Sequence, residues 1–238
     1  AVAVSVFDHD NAPPHVSDRQ YRFDYLRNRL SELNRLETFA YRAEDIPADM
    51  TRMQAVKRSF ANHDTPLIIM DSAPAAVLGT LFDPVVAQAA EKIIVNIGNM
   101  HTLAFRIRHG RIDGLFEHHT GLLNNAKLEE FIRKLAQATL THAEVFDHQG
   151  HGAILFSQEK LDLESPNNLL AVSGPRRNLI ASVARRAYYP APFGDMMIAG
   201  CIGLLAATAY HLPEFSEAIL KALNTSKEKP KAPWDVAK

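Results

Sequence analysis

The sequence is short of cysteine, of one-sided charge and of long apolar runs, and each shortage removes a class of protein. A single cysteine, Cys201, stands among 238 residues. It excludes an internal disulfide framework, a CxxC zinc site and, within one chain, an iron–sulfur cluster held by cysteines. Lys and Arg total 26 against 27 Asp and Glu, for a net charge of -1. There is therefore no basic footprint for nucleic acid or for an anionic membrane surface. The longest apolar segment, Met196 to Tyr210, is shorter than the roughly 18 to 20 residues that cross a bilayer. Gly200 and Gly203 within it suit close helix packing, and it reads as a buried helix. The opening Ala1 to Phe7 reads as a strand rather than a leader, and a cytoplasmic location is expected. Chain ends usually carry slack, so a start directly in a strand reads as a chain cut from something longer.

What is present is an ordinary globular composition, 47% hydrophobic and 22% charged, ample for a core of one or two domains. The stretch Ile93 to Leu123 organises the rest. Ile93-Ile94-Val95 is a continuous apolar run, the mark of a strand buried on both faces. It ends at Asn96-Ile97-Gly98-Asn99, where glycine lets the backbone turn tightly and approach a ligand. Thr102 to Ile107 reads as a second strand and Arg111 to Glu117 as a third. His109-Gly110 is a two-residue turn between them. Polar groups crowd the end of the third strand at Glu117-His118-His119-Thr120-Gly121.

Further elements follow the hydrophobic periodicity. Ser17-Asp18-Arg19-Gln20 matches a capping box and starts a helix whose apolar positions are Phe23, Leu26, Leu30 and Leu33. Further helices are expected near Thr51 to Asn62, over Lys127 to Leu140 and near Glu214 to Leu223. Short buried strands are expected at Leu67 to Met70, Ala153 to Phe156 and Leu169 to Val172. Val145 to Gly152 reads as a Gly/His-rich loop. The Leu169 strand breaks at Ser173-Gly174-Pro175-Arg176-Arg177-Asn178, a strand–Gly–helix junction that offers N–H groups to an anion. Asn224 to Lys238 is Lys/Pro-rich and expected to fray.

Eleven histidines raise a metal reading alongside the phosphate one. His9, His101, His118, His119 and His151, with Asp8, Asp10, Glu117 and Asp147, supply imidazole and carboxylate, a set suited to Zn²⁺, Mn²⁺ or Fe²⁺. Asp8-His9-Asp10 ends the first strand, where open α/β sheets gather ligand groups. Metal contacts are therefore assigned to Asp8, His9, Asp10, His118 and His119. Adjacent His118 and His119 on a strand point to opposite faces, so at most one joins a given site.

The order of the pieces carries a resemblance. Met70 to Gly79 resembles the first connecting helix of the actin-like ATPases and sugar kinases. Asn96-Ile97-Gly98-Asn99-Met100-His101-Thr102 resembles their second phosphate loop, Asp-x-Gly-x-x-Thr. Ala171 to Asn178 resembles their adenosine loop, and Gly194 to Ala207 their second connecting helix. At closer range DHDNAPPHVSDRQYRF, NIGNMHTLAF, FEHHTG, GHGA, SGPRRN and PFGDMM resemble a prokaryotic family of unknown function whose members are labelled pyruvate formate-lyase activating enzymes. That label implies three cysteines around a radical cluster, against one here.

The resemblance implies an α/β fold of the actin-like ATPase (ribonuclease H-like) kind, with mixed sheets flanked by helices. It implies a remainder of a first domain over residues 1–85, a second over 86–212, and a C-terminal helix and charged tail over 213–238. It places phosphate at Asn96, Gly98, Asn99, His101 and Thr102 and adenosine at Ser173, Gly174, Arg176 and Asn178. ATP with Mg²⁺ is the implied cofactor, with Asp8, Asn96 or Asp195 near its water shell. No catalytic residue is implied. Asn96 stands where many members have Asp, and the first phosphate loop is missing, so this chain is expected to turn over little or no ATP. The expected function is nucleotide binding of an ATPase or small-molecule kinase kind, with a nucleotide or small molecule as partner. The alternatives are a metal-binding protein or metal-dependent hydrolase built on the His/Asp cluster, or a non-catalytic interaction module.

Overall fold

In chain order the computed structural model runs β1 (Val2–Val6), α1 (Asp18–Glu32), β2 (Ala40–Arg42), α2 (Thr51–Ser59), β3 (Leu67–Asp71), α3 (Ser72–Thr80), α4 (Pro84–Gln88), β4 (Glu91–Ile97), β5 (His101–Arg108), β6 (Arg111–His119), α5 (Asn125–Ala136), α6 (His142–Asp147), β7 (Gly152–Leu155), β8 (Asn168–Ser173), β9 (Ala187–Tyr188), α7 (Ala199–His211) and α8 (Pro213–Asn224). The structure describes residues 1–8, 11–180 and 187–224; His9, Asp10 and the tail beyond Asn224 lie outside them. Among the described residues no helix is long and apolar enough to cross a membrane. The chain divides into two units, one of Ala1–Arg22, Leu36–Pro84 and Ala191–Lys238, the other of Phe23–Arg35 and Val85–Pro190.

The first unit holds a three-stranded sheet in the order β1-β3-β2, with β1 parallel and β2 antiparallel to β3. Every residue of β3 is buried, as its apolar run requires. The Asp71 carboxylate ends that strand, receives the buried Arg22 guanidinium at 2.5 Å and caps α3 through the Ala73 amide. Helices α3 and α7 pack backbone to backbone through Gly79 and Gly203. The helix read as the end of a second domain therefore belongs to the first unit. The cause is the missing side chains at those two glycines, which allow a contact between segments far apart in sequence. Helix α8 follows α7 with Leu223 buried.

The second unit is built on a six-stranded sheet, β7-β6-β5-β4-β8-β9. Strands β4 to β7 run antiparallel to their neighbours, whereas β8 is parallel to β4 and β9 to β8. The three strands expected between Ile93 and Glu117 are thus adjacent and antiparallel, and Leu169 to Val172 runs parallel to the first of them. The turn is at His109 (φ 47°) and Gly110 (φ 78°), the two left-handed residues that a type I′ hairpin needs. The ladder between β5 and β6 shifts by one residue, since Ile107 faces Ile112 but Arg106 faces Gly114. Asp113 is thus the extra residue of a β-bulge. Its carboxylate accepts from Arg108 Nε at 2.8 Å, and its carbonyl accepts from the Phe156 amide at 2.8 Å.

One face of this sheet, through Val95, Ala104, Phe116 and Val172, packs on Leu128, Phe131, Ile132 and Leu135 of α5. Phe23, Leu26 and Leu30 of α1 are also buried. The Asn34 side chain holds the chain after α1 to β6, accepting from the Ile112 amide and donating to its carbonyl. The first residues of the segment read as a Gly/His loop are helical, as α6. A capping box between Thr141 and Glu144 starts that helix.

Candidate metal centre

Three histidines meet at one end of the six-stranded sheet. His101 opens β5 and His119 closes β6, and the two face each other directly across the ladder. His151 precedes β7, and its amide donates to the Glu117 carbonyl at 2.9 Å. Gly152, at φ +145°, allows the chain to settle there; a β-carbon on it would lie 2.2 Å from His142 Nδ1. Ring centroids are 4.8 Å apart for His101 and His119, 4.6 Å for His101 and His151, and 4.7 Å for His119 and His151. The three rings form a nearly equilateral triangle. One nitrogen from each lies within 4.8 Å of the others. His101 and His151 are buried and His119 is half-buried.

Imidazole nitrogens that converge in this way could hold a transition-metal ion. Bonds of roughly 2.0–2.1 Å around a tetrahedral ion place nitrogens about 3.4 Å apart, inside the 4.8 Å within which these three lie. A set made wholly of imidazole suits zinc, copper, iron or nickel and not Mg²⁺ or Ca²⁺, which require oxygen. The carboxylate of Glu117 is fully buried, with Oε1 2.8 Å from His101 Nδ1. Nearby, His142 lies 5.3 Å from Phe23 and stacks on Phe146 at 5.4 Å. Burial first, and then Arg27, hold its pKa below the usual imidazole value.

The residues singled out in the sequence fall into separate places. His119 joins the triangle, whereas His118 is on the opposite sheet face. There its Nε2 lies 3.0 Å from His148 Nδ1 and its ring 5.9 Å from that of Phe131. Asp8 belongs to the first unit, where its carboxylate accepts from the Arg52 and Met53 amides at 2.8 Å each and caps α2. His9 and Asp10 are outside the described residues.

His101, assigned to phosphate, turns its ring to Glu117 and the triangle. Thr102 pairs its hydroxyl with that of Thr120 at 2.9 Å. The Gly98 amide donates to the His101 carbonyl, and the Met100 carbonyl accepts from Thr120. Asn99 stays exposed at the tip of this loop, while Asn96 is buried behind it.

The loop assigned to adenosine lies against the same turn. Gly174 has φ +95°, and a β-carbon on it would stand 2.4 Å from the Ile97 carbonyl oxygen. The Arg176 amide donates to that carbonyl at 3.0 Å, and Ser173 Oγ lies 3.5 Å from Asn96 Oδ1. The Arg176 and Asn178 side chains are exposed. Asp195 caps a short turn by accepting from the Met197 amide at 2.8 Å.

The assigned metal set omitted His101 and His151, although both stood in the wider group of His, Asp and Glu considered for a metal. The signal that brings them together is strand register. His101 pairs with His119 only because of the bulge at Asp113.

A family model described as "Putative pyruvate format-lyase activating enzyme (DUF1786)" matches residues 1–179. Among solved structures, the crystal structure of MreB 5 of Spiroplasma citri bound to AMPPNP is similar at 12% identity, covering 93% of this chain and 80% of that chain with a TM-score of 0.36. No curated protein matches the chain.

Proposed function

The chain belongs to this family, and we propose that its second unit binds one divalent transition-metal ion through His101, His119 and His151. The single observation behind this reading is the triangle of imidazoles with donor nitrogens within 4.8 Å of one another. Three imidazoles leave a fourth position for water or a substrate oxygen, the ligand count of hydrolytic zinc sites. A bound ion there would acidify that water and polarise a substrate carbonyl or phosphoryl group. The chain's own residues orient the ligands and keep two of the three rings out of bulk water. The activity in the family's description requires three thiolates for its cluster. The 238 residues supply only Cys201, so that description contributes no step to this reading.

The test is metal analysis of the purified chain after loading with Zn²⁺ or Co²⁺ and dialysis. About one ion per chain is expected for the wild type, with loss in His119→Ala and His151→Ala and none in the exposed control His63→Ala. Retention in the His119 and His151 variants would sink the reading.

A second reading, nucleotide binding, is supported by the junction of the two loops at Ile97, where the Gly174 backbone and the Arg176 amide meet one carbonyl. Asn96, Gly98 and Asn99 would face phosphate and Ser173, Gly174, Arg176 and Asn178 the adenosine, while His101 and Thr102 are engaged elsewhere. Equilibrium dialysis with Mg²⁺ and ATP tests it. Binding that Arg176→Glu leaves unchanged would remove the assignment.

A further inference from the structure

We propose that Glu117 is a positioning residue, fixing His101 as the Nδ1–H tautomer so that Nε2 is the nitrogen offered to the metal ion. The inference rests on the metal-binding reading above. Glu117 and His119 are two apart on β6 and therefore share a sheet face. His101 lies opposite His119 on that same face. The Glu117 side chain is fully buried and its Oε1 is 2.8 Å from His101 Nδ1. An ionised Glu117 is an acceptor only, and against it a neutral His101 carries the proton of this bond on Nδ1 and the lone pair on Nε2.

The main chain of the same residue holds a second ligand, because the Glu117 carbonyl accepts the His151 amide at 2.9 Å. One residue thus orients two of the three imidazoles, one through its side chain and one through its backbone. The converging donor atoms come from the three rings, and the carboxylate stands behind one of them. Such an outer carboxylate fixes ring orientation and raises ligand basicity, and its removal typically weakens metal binding on the order of 10- to 100-fold.

The experiment titrates Co²⁺ into the wild type, Glu117→Leu and Glu117→Gln, following the cobalt visible absorption band. It also reads the His101 tautomer in the metal-free wild type by ¹⁵N NMR. Glutamine keeps an acceptor for the Nδ1 proton, so Glu117→Gln is expected to bind within a few-fold of wild type with the same band. Glu117→Leu is expected to lose on the order of 10- to 100-fold with a shifted band. Wild-type affinity in Glu117→Leu would overturn the inference alone. So would an equal loss in Glu117→Gln, which would make the carboxylate a direct ligand. Failure of the wild type to bind Co²⁺ would take down the metal-binding reading and this inference with it. If Glu117→Leu does not fold, the tautomer decides without any variant: an Nε2–H His101 overturns the proposal.

Discussion

Replacing Gly203 by alanine should loosen the helix pair at the centre of the first unit. A β-carbon there would sit 1.9 Å from the Ala75 carbonyl oxygen and 2.7 Å from the Gly79 amide nitrogen, whereas ordinary contact begins at 3.4 Å. The shortfall is about 1.5 Å, and both obstacles are main chain, so no side chain can swing away and the helices must separate. Overpacking of this kind costs typically 1–3 kcal/mol. Alanine returns up to about 1 kcal/mol through its higher helix propensity. A net loss of about 2 kcal/mol corresponds to a melting point lower by roughly 4–8 °C at this chain length. Gly200→Ala, on the same helix, is the matched control, because nothing lies within 4 Å of its β-carbon position. It should gain a few tenths of a kcal/mol or more, from propensity alone. Differential scanning calorimetry of both variants gives the comparison. If Gly203→Ala melts as high as Gly200→Ala, the backbone contact between α3 and α7 is not what holds them.

Three further outcomes are expected. Excess Zn²⁺ at about 100 times its dissociation constant should stabilise the second unit by roughly 2.7 kcal/mol, seen as a raised melting point that is absent in His151→Ala. Asp71→Asn should destabilise the first unit by roughly 3–5 kcal/mol in urea unfolding, since it removes the carboxylate charge that faces the buried Arg22 guanidinium. The hydrogen bond from Lys134, with the Thr141 amide next, pulls the Glu144 pKa from 4.5 down to about 2. A depressed carboxylate contributes stability that is whole above about pH 4.5 and is lost as pH falls through about 2. Urea midpoints measured across that window should fall more steeply for the wild type than for Glu144→Gln.

The strands of the second unit were legible because an uninterrupted run such as Ile93-Ile94-Val95 has few ways to be buried, and His109-Gly110 is strong turn chemistry. The helix over Asn125–Ala136 followed from Leu128, Phe131, Ile132 and Leu135 at helical spacing. Helix α6 was hidden, because six residues are too few to show a period and its capping box lies in polar sequence. Placement of α7 was hidden as well. Gly203 announces close packing, but it does not state its partner. In the candidate site, alternation showed that His118 and His119 part company, yet it could not say which faces His101. Both faces of β6 are buried at that end, so polarity does not discriminate. His101 fell within a phosphate-loop pattern, and only the tertiary contact with Glu117 shows where its ring goes.

The unpaired residue at Asp113 has a consequence for how such a site could arise or vanish. Along β6 it lies six residues from His119, about 20 Å at strand rise. Drawing that residue into the ladder opposite Arg106 while keeping the hairpin would set His118 opposite His101 and turn Glu117 to the other face, whereas deleting it would leave the present pairs intact. A change of pairing with no atom near the imidazoles would therefore exchange the whole set, whereas point changes beside them alter one side chain at a time. That Asp113 stays out of the ladder is accordingly a stricter requirement on this cluster than the identity of most residues between Arg111 and His119. In relatives of this chain, a strand of the same length without the bulge would mark the switch between a strand end that gathers these imidazoles and one that does not.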